Sequence, residues 1–342
     1  MPNFTIFLYL FIIPHLMTVK AFCPGNASCI FRIVENKDKT KRHSLGVGFT
    51  VDKGVIVNVS KSDKTMIFAN GKRIRFPTVL TVIRELTNEQ VKVEIKDQLP
   101  SGAGFGISGA SALATAYALN KLLNLKKPKK ELAMVAHRAE VINGTGLGDV
   151  GGQFNGGFNI KIKEGEPLTV VNLGIKDVDI YYKFFSRIET RTVINSRWRK
   201  RRINKAGDRA LKRIMALKNK TSKMVSGFSV NRVIACELHS PLTIFERAQK
   251  YTANPNRRQT LSAGQINQQY ISDTLKEIIR VSKDFAVESG LLRDKRVKNL
   301  IEEIENKGGN ASMIMLGNAV FSDIPFKGCR KVKISDKSAC LL

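Results

Sequence analysis

The sequence predicts an α+β chain folded as two lobes, on three observations. Val91, Val93 and Ile95 alternate with Lys92, Glu94 and Lys96, the pattern of a strand with one buried and one wet face. Ala110–Leu123 is rich in Ala and Leu on every side, which marks a helix buried all round. The chain has 342 residues, more than one average domain needs and enough for two cores. The polar Gly/Pro-containing stretch Lys163–Pro167 is the expected boundary, giving units 19–165 and 166–342 behind an apolar extension over 1–18.

In chain order, Val19–Phe22 reads as a strand running into a Pro24–Gly25 turn. Gly46–Ser60 reads as two strands around Asp52–Gly54, a hairpin signal. After the strand at 91–96 and the helix from Ala110, Lys130–Ile142 forms a second helix. Val135, Ala139 and Ile142 lie on its apolar stripe and Asn143–Gly144 closes it. A glycine-dense stretch, Gly144–Gly157, leads into a strand at Phe158–Ile162. The second unit offers a strand near Asp179–Phe184 and helices around Ala206–Lys218, Tyr270–Glu288 and Lys295–Asn306. A Gly-Gly turn and an apolar strand, Met313–Leu316, follow.

Hydrophobic residues at 43% and charged residues at 25% are ordinary for a globular chain. The net charge of +28 is not; it attracts polyanions and speeds the arrival of anionic ligands. The densest run, Arg197–Arg213, carries nine Lys or Arg against Asp208 alone, yet it fits no nucleic-acid fold signature. It reads as a solvated basic face or an active-site rim, and no nucleic-acid partner is expected. Five cysteines without a CxxC pair point to a reduced, cytoplasmic protein with neither a zinc site nor a disulfide framework. Phe4–Met17 is too short to span a bilayer comfortably and lacks the basic start and small-residue cleavage site of a signal peptide. The expectation is a start-site artefact, with Met17 as the initiator and no membrane partner.

The chemistry begins in Leu99–Ala112 (LPSGAGFGISGASA), between a strand and a helix. Glycines at 102, 104, 106 and 109 let backbone approach a ligand, and the unpaired N–H groups at the helix start make an anion site. The competing structural reading is a tight strand–helix turn. A P-loop is excluded because no Lys follows these glycines. Gly104, Gly106 and Gly109 do match GxGxxG, but the preceding strand alternates where a Rossmann strand would be apolar throughout. About 20 residues on, where that fold wants an acid, stand Lys126, Lys127, Lys129 and Lys130, so an NADP enzyme is the minor alternative.

Pro100–Ala110 resembles the phosphate-binding motif PxxxGLGSSA of the GHMP kinases. Pro24–Gly25 resembles their N-terminal PG motif, and Gly308–Gly317 (GGNASMIMLG) their C-terminal glycine motif, in the same order. Within the superfamily, Ser101–Ala112, Ala136–Gly157 and Ala311–Phe321 most resemble archaeal pantoate kinases. The resemblance implies a two-lobed GHMP-kinase fold, with a ribosomal-protein-S5-like N-terminal domain and a C-terminal α/β domain. It also implies ATP and Mg²⁺ as cofactors, phosphorylation of the primary hydroxyl of pantoate on the route to coenzyme A, and a homodimer.

By the same resemblance, Pro100, Ser101, Gly102, Ala103, Gly104, Phe105, Gly106, Ile107, Ser108, Gly109 and Ala110 hold the nucleotide. Ser108 and Glu140 match the superfamily's Mg²⁺-binding residues, and Asp149 its catalytic base. The competing readings are a helix salt bridge with Arg138 for Glu140, and an Asx turn or N-cap for Asp149. His137 lies at i,i+3 from Glu140 on one helix face, and Ser28, Lys161 and Thr190 are further candidates for the acceptor's carboxylate and hydroxyls. Asn26 stands where many members carry Lys and pantoate kinases His; an amide can neither take a proton nor carry charge. Other GHMP kinases, of mevalonate or shikimate type, share the cradle, and a nucleic-acid-binding protein using the basic surface is the reading from another class.

Overall fold

Two long strands, β1 (Thr18–Val34) and β2 (His43–Lys61), pair antiparallel and form the spine of the fold. The computed structural model describes residues 17–188, 190–226 and 263–342. Residues 1–16 of the apolar extension and Cys236 lie outside that set. Next come β3 (Met66–Ala69), β4 (Lys72–Arg73), α1 (Pro77–Leu86) and β5 (Val91–Asp97). They are followed by α2 (Ile107–Leu122), α3 (Lys129–Asn143), α4 (Asp149–Asn155), β6 (Phe158–Lys161) and β7 (Val171–Asn172). The first sheet runs β12-β1-β2-β5-β3-β4, where β12 (Cys340–Leu341) is the returning C-terminus; β6 also pairs with β2, and β7 with β6. Helix α2 packs on β1 and β2 with α1 and α3 against it. Its alanines and leucines from Ala110 to Leu119 are buried, as the all-round apolar pattern predicts.

The two turn signals in the first unit are not turns. Gly54 lies inside β2, where a Cβ would come within 2.0 Å of the Cys23 carbonyl oxygen, so the glycine serves a close strand approach. Asp52 beside it accepts from the Lys333 backbone N–H at 2.8 Å. Pro24–Gly25 lies inside β1, at a register shift between Pro24 and Asn26. Proline has no N–H for the ladder, and a bulge tolerates that loss. The shift frees the Asn26 N–H to donate to the Phe105 carbonyl at 2.9 Å, tying β1 to the glycine loop.

Helix α3 ends as expected on Gly144 in the left-handed conformation (φ +67°). Its Val135 and Ala139 are buried, but Ile142, placed on the same stripe by sequence, is 57% exposed.

The rest of the chain supplies β8 (Asp179–Arg187), α5 (Thr190–Asn195), α6 (Arg197–Ser226), α7 (Ala263–Glu288) and α8 (Lys295–Asn306). Strands β9 (Ala311–Met313), β10 (Gly317–Ser322) and β11 (Arg330–Lys333) complete a second, antiparallel sheet in the order β11-β8-β10-β9. The predicted strand Met313–Leu316 is mostly the connection between β9 and β10, since strand pairing stops at Met313. Helix α8 matches its predicted span, with Asp294 capping it by accepting from the Arg296 N–H. Much of the basic run on α6 is bound to acids distant in sequence. Arg209 meets Glu288, Arg213 meets Asp284 and Glu277, and Lys200 meets Glu35. Among the described residues no helix is long and apolar enough to cross a membrane.

Candidate active site

The loop between β5 and α2 is built for a ligand at the backbone. Gly102, Gly104 and Gly106 have φ of +85°, +88° and +60°, a region in which a side chain is strained. The β9–β10 connection presses on it: a Cβ at Gly104 would meet the Met315 carbonyl oxygen at 2.7 Å, and one at Gly317 the Ala103 carbonyl oxygen at 2.2 Å. Helix α2 starts after Gly106 with no side-chain cap, so its first N–H groups remain for an anion. Ala103, Phe105, Ile107 and Ala110 are buried; Phe105 packs edge-on against Tyr182, with ring centroids 5.0 Å apart. These four can serve a nucleotide only through their backbone. Pro100 spends its carbonyl on the Ala103 N–H at 3.3 Å, and the Ser101 side is exposed.

Behind the helix start lie the buried carboxylate of Glu140 and the half-buried one of Asp149. Glu140, on α3, accepts from the Ser108 hydroxyl and from the Thr145 hydroxyl at 2.8 Å, both on Oε1. Its Oε2 is buried and has no hydrogen-bond partner. Burial pushes Glu140 up to about 7, the neighbouring Asp149 carboxylate adds to the rise, and the two hydroxyls oppose it. A salt bridge with Arg138 is not its role, because Arg138 binds Glu85. Asp149 opens α4; Gly148, not Asp149, takes the N-cap position and offers no side-chain cap. Asp149 Oδ1 accepts from Asn26 Nδ2 at 2.9 Å and from Ser28 Oγ at 3.3 Å. Burial raises its pKa, while Asn26, the Lys161 charge and Ser28 pull it back. Gly109 and Gly146 let the acids close in: a Cβ at either would meet Glu140 Oε2, at 2.9 and 2.2 Å.

Asn26 and Ser28 also line a pocket with Ser44, Gly148, Asn159 and Lys161. Lys161, expected to be a weak strand candidate, is buried there and donates to the Gly148 and Pro167 carbonyls at 3.2 Å each. Burial lowers it to about 8, so it stays mostly charged at neutral pH, with one N–H left to give. His137 is committed elsewhere: its Nε2 lies 3.1 Å from the Arg42 carbonyl, and burial drives it down to about 3. Thr190 starts α5, outside the residues that line the pocket. Sequence reasoning missed Thr145, Ser44 and Asn159, and had no role for Asn26. Ser44 and Asn159 meet Asn26 and Lys161 only when β1, β2 and β6 pair, and Thr145 reaches Glu140 only through the turn after α3.

His137 gives a stability prediction. The unfolded chain takes a proton near pH 6.5 that the folded imidazole refuses until about 3, so this site destabilises the fold progressively as pH falls below 6.5. His137→Gln keeps a donor for Arg42 and removes the titration. Between pH 7 and 5, its unfolding free energy is expected to fall less steeply than that of the wild type, by about 1.4 kcal/mol per pH unit below 6.5. Parallel profiles in urea unfolding would place a charged, accessible imidazole in the fold.

The donor set fits the groups that phosphoryl transfer requires. Mg²⁺ takes a few hard oxygens and keeps waters, and the unpartnered Glu140 Oε2 with the Ser108 hydroxyl beside the same carboxylate offers such a set. Among the described residues no cluster of three or more His, Cys, Asp or Glu competes with it. The start of α2 fits a polyphosphate, since no side chain caps its first N–H groups.

Residues 75–157, which hold the loop, Glu140 and Asp149, match the GHMP kinases N terminal domain. The chain is 30% identical over 307 residues to a pantoate kinase of Methanocaldococcus jannaschii, covering 88% of this chain and 90% of that one. It is 28% identical over 315 residues to a pantoate kinase of Methanospirillum hungatei, covering 90% and 88%. A solved phosphotransferase related to the CoA biosynthesis pathway superposes with a TM-score of 0.68 at 22% identity, over 95% of this chain and 98% of that one. At 30% identity over 90% of the Methanocaldococcus jannaschii enzyme, and with residues 75–157 matching the GHMP domain, the chain belongs to the pantoate kinase family of the GHMP kinases.

Proposed function

We propose that this protein transfers the γ-phosphoryl group of ATP to the primary hydroxyl of pantoate, giving 4-phosphopantoate for coenzyme A synthesis. The observation that carries the reading is the position of Asp149. Its Oδ1 is fixed by Asn26 and Ser28, both in the wall of the pocket, and the carboxylate stands next to the Glu140–Ser108 pair at the cradle. Asp149 Oδ2, which those two donors leave unused, takes the acceptor's hydroxyl proton as the new O–P bond forms. Lys161 and Ser44 bind the acceptor's carboxylate and remaining hydroxyl, a task for which the buried cation suits an anionic substrate. Ser108 and Glu140 hold Mg²⁺, which when bound neutralises charge on the phosphates. The α2 N-terminus and the loop N–H groups orient the triphosphate. On the same reading the enzyme is a homodimer and works in the cytoplasm.

The test is an acceptor panel with Mg-ATP, read by ADP release and by phosphorus NMR of the product. Pantoate is expected to support turnover, and galactose, which has no carboxylate for Lys161, at least about 100-fold less. Mevalonate and shikimate keep the carboxylate but hold their hydroxyls at other distances from it, and are expected to fall below pantoate through misplacement of the reacting oxygen. Release with one of the others and none with pantoate would replace this acceptor assignment.

A further inference from the structure

The cradle has no cation of its own: Gln98–Ala112 contains neither Lys nor Arg. A triphosphate carries several negative charges, and phosphoryl transfer spreads charge over the γ-phosphoryl oxygens. Lys161 lies buried in the acceptor pocket, with two of its three N–H groups bound to carbonyls. A cation for the phosphates must therefore come from another element.

Strand β8 ends at Arg187, paired in register with Gly317, whose own backbone packs on Ala103 of the cradle. Arg187 thus arrives at the loop from the second sheet. Its stem lies directly on Gly102: a Cβ added there would sit 2.6 Å from Arg187 Cβ and 3.2 Å from its Nε. Gly102 has φ +85°, so this bare backbone is what admits the arginine. The residue is exposed, and among the described residues its guanidinium holds no carboxylate. Arg32, Arg138, Arg209, Arg213 and Arg296, by contrast, each bind an acid.

We propose that Arg187 clamps the β- and γ-phosphates of the nucleotide, as a cation that the second sheet lays across the glycine loop. The proposal rests on the kinase reading above. A guanidinium offers two parallel N–H donors to phosphate oxygens, where a lysine offers a point charge.

The experiment is calorimetric titration of the full chain with ATP, ADP and AMP in Mg²⁺, so it needs no acceptor. Arg187→Met keeps an aliphatic stem on Gly102 and removes the charge; Arg187→Lys keeps charge without the fork. Arg187→Met is expected to weaken ATP by about 10- to 100-fold, the size of a charge-assisted hydrogen-bond loss. ADP should weaken less and AMP stay within about twofold, with Arg187→Lys between wild type and Arg187→Met for ATP. Equal ATP affinity in wild type and Arg187→Met overturns the clamp while leaving the kinase assignment standing. Equal weakening of ATP and AMP also overturns it, as that places the arginine on the nucleoside or in the fold. A wild type that binds no ATP overturns both readings.

Discussion

Asp149→Asn is expected to lower turnover by about 10²- to 10⁴-fold, the range that general-base catalysis contributes, while ATP affinity changes by less than about threefold. The substitution is close to isosteric, and the amide oxygen can still accept from Asn26 and Ser28, so the local scaffold survives. What disappears is the oxygen able to take a proton. Steady-state ADP release with pantoate, set against nucleotide titration of the same variant, separates the two effects. Turnover within tenfold of wild type would show that another group, or none, accepts the proton. Asn26 cannot compensate, because it already donates to this carboxylate and an amide does not titrate.

The proton account also makes sense of Asn26. Its side chain donates to Asp149, and its backbone N–H, released by the bulge at Pro24–Gly25, donates to Phe105. One residue therefore links the proposed base to the glycine loop. The PG dipeptide is read correctly from sequence as a marker of the site and wrongly as a turn, since a bulged strand and a turn use the same two residues. Asp52–Gly54 fails for a related reason. A glycine whose Cβ would come within 2.0 Å of another strand's carbonyl oxygen has no local feature that separates it from a turn glycine.

The parts legible in sequence are those governed by local periodicity or backbone chemistry. The alternation at 91–96, the all-apolar helix after the loop, the helix at 295–306 and the glycine stop at 144 each depend on residues close together in sequence. The parts that were not legible depend on distant partners. Arg209 and Arg213 look like free charge until α7 brings Glu288 and Asp284 beside them. His137 shares a helix face with Glu140, yet its ring is turned to the Arg42 carbonyl, 95 positions away in sequence. Arg187, whose stem lies on Gly102, comes from a strand more than 80 residues further along the chain.

Gly146→Ala is the second substitution with a large expected effect, and it acts on the acid pair without altering any acid. The new methyl would lie 2.2 Å from Glu140 Oε2 and 3.4 Å from Asp149 Oδ2, so it occupies the space between the two carboxylates. Glu140 cannot swing aside freely, because Ser108 and Thr145 both hold its Oε1. The residue is not in the left-handed region, so alanine brings no backbone strain of its own there. With Glu140 Oε2 displaced from Mg²⁺, activity at a fixed Mg²⁺ concentration is expected to fall by about 100-fold or more, as interactions made in the transition state are lost. The Mg²⁺ concentration needed for half-maximal rate is expected to rise in parallel. The melting temperature in the absence of Mg²⁺ is the control: displacing the carboxylate costs about 1–3 kcal/mol of packing strain, a shift of a few degrees in a chain this size. A comparable loss of activity that is independent of Mg²⁺ would assign Gly146 to loop geometry and remove the metal from Glu140.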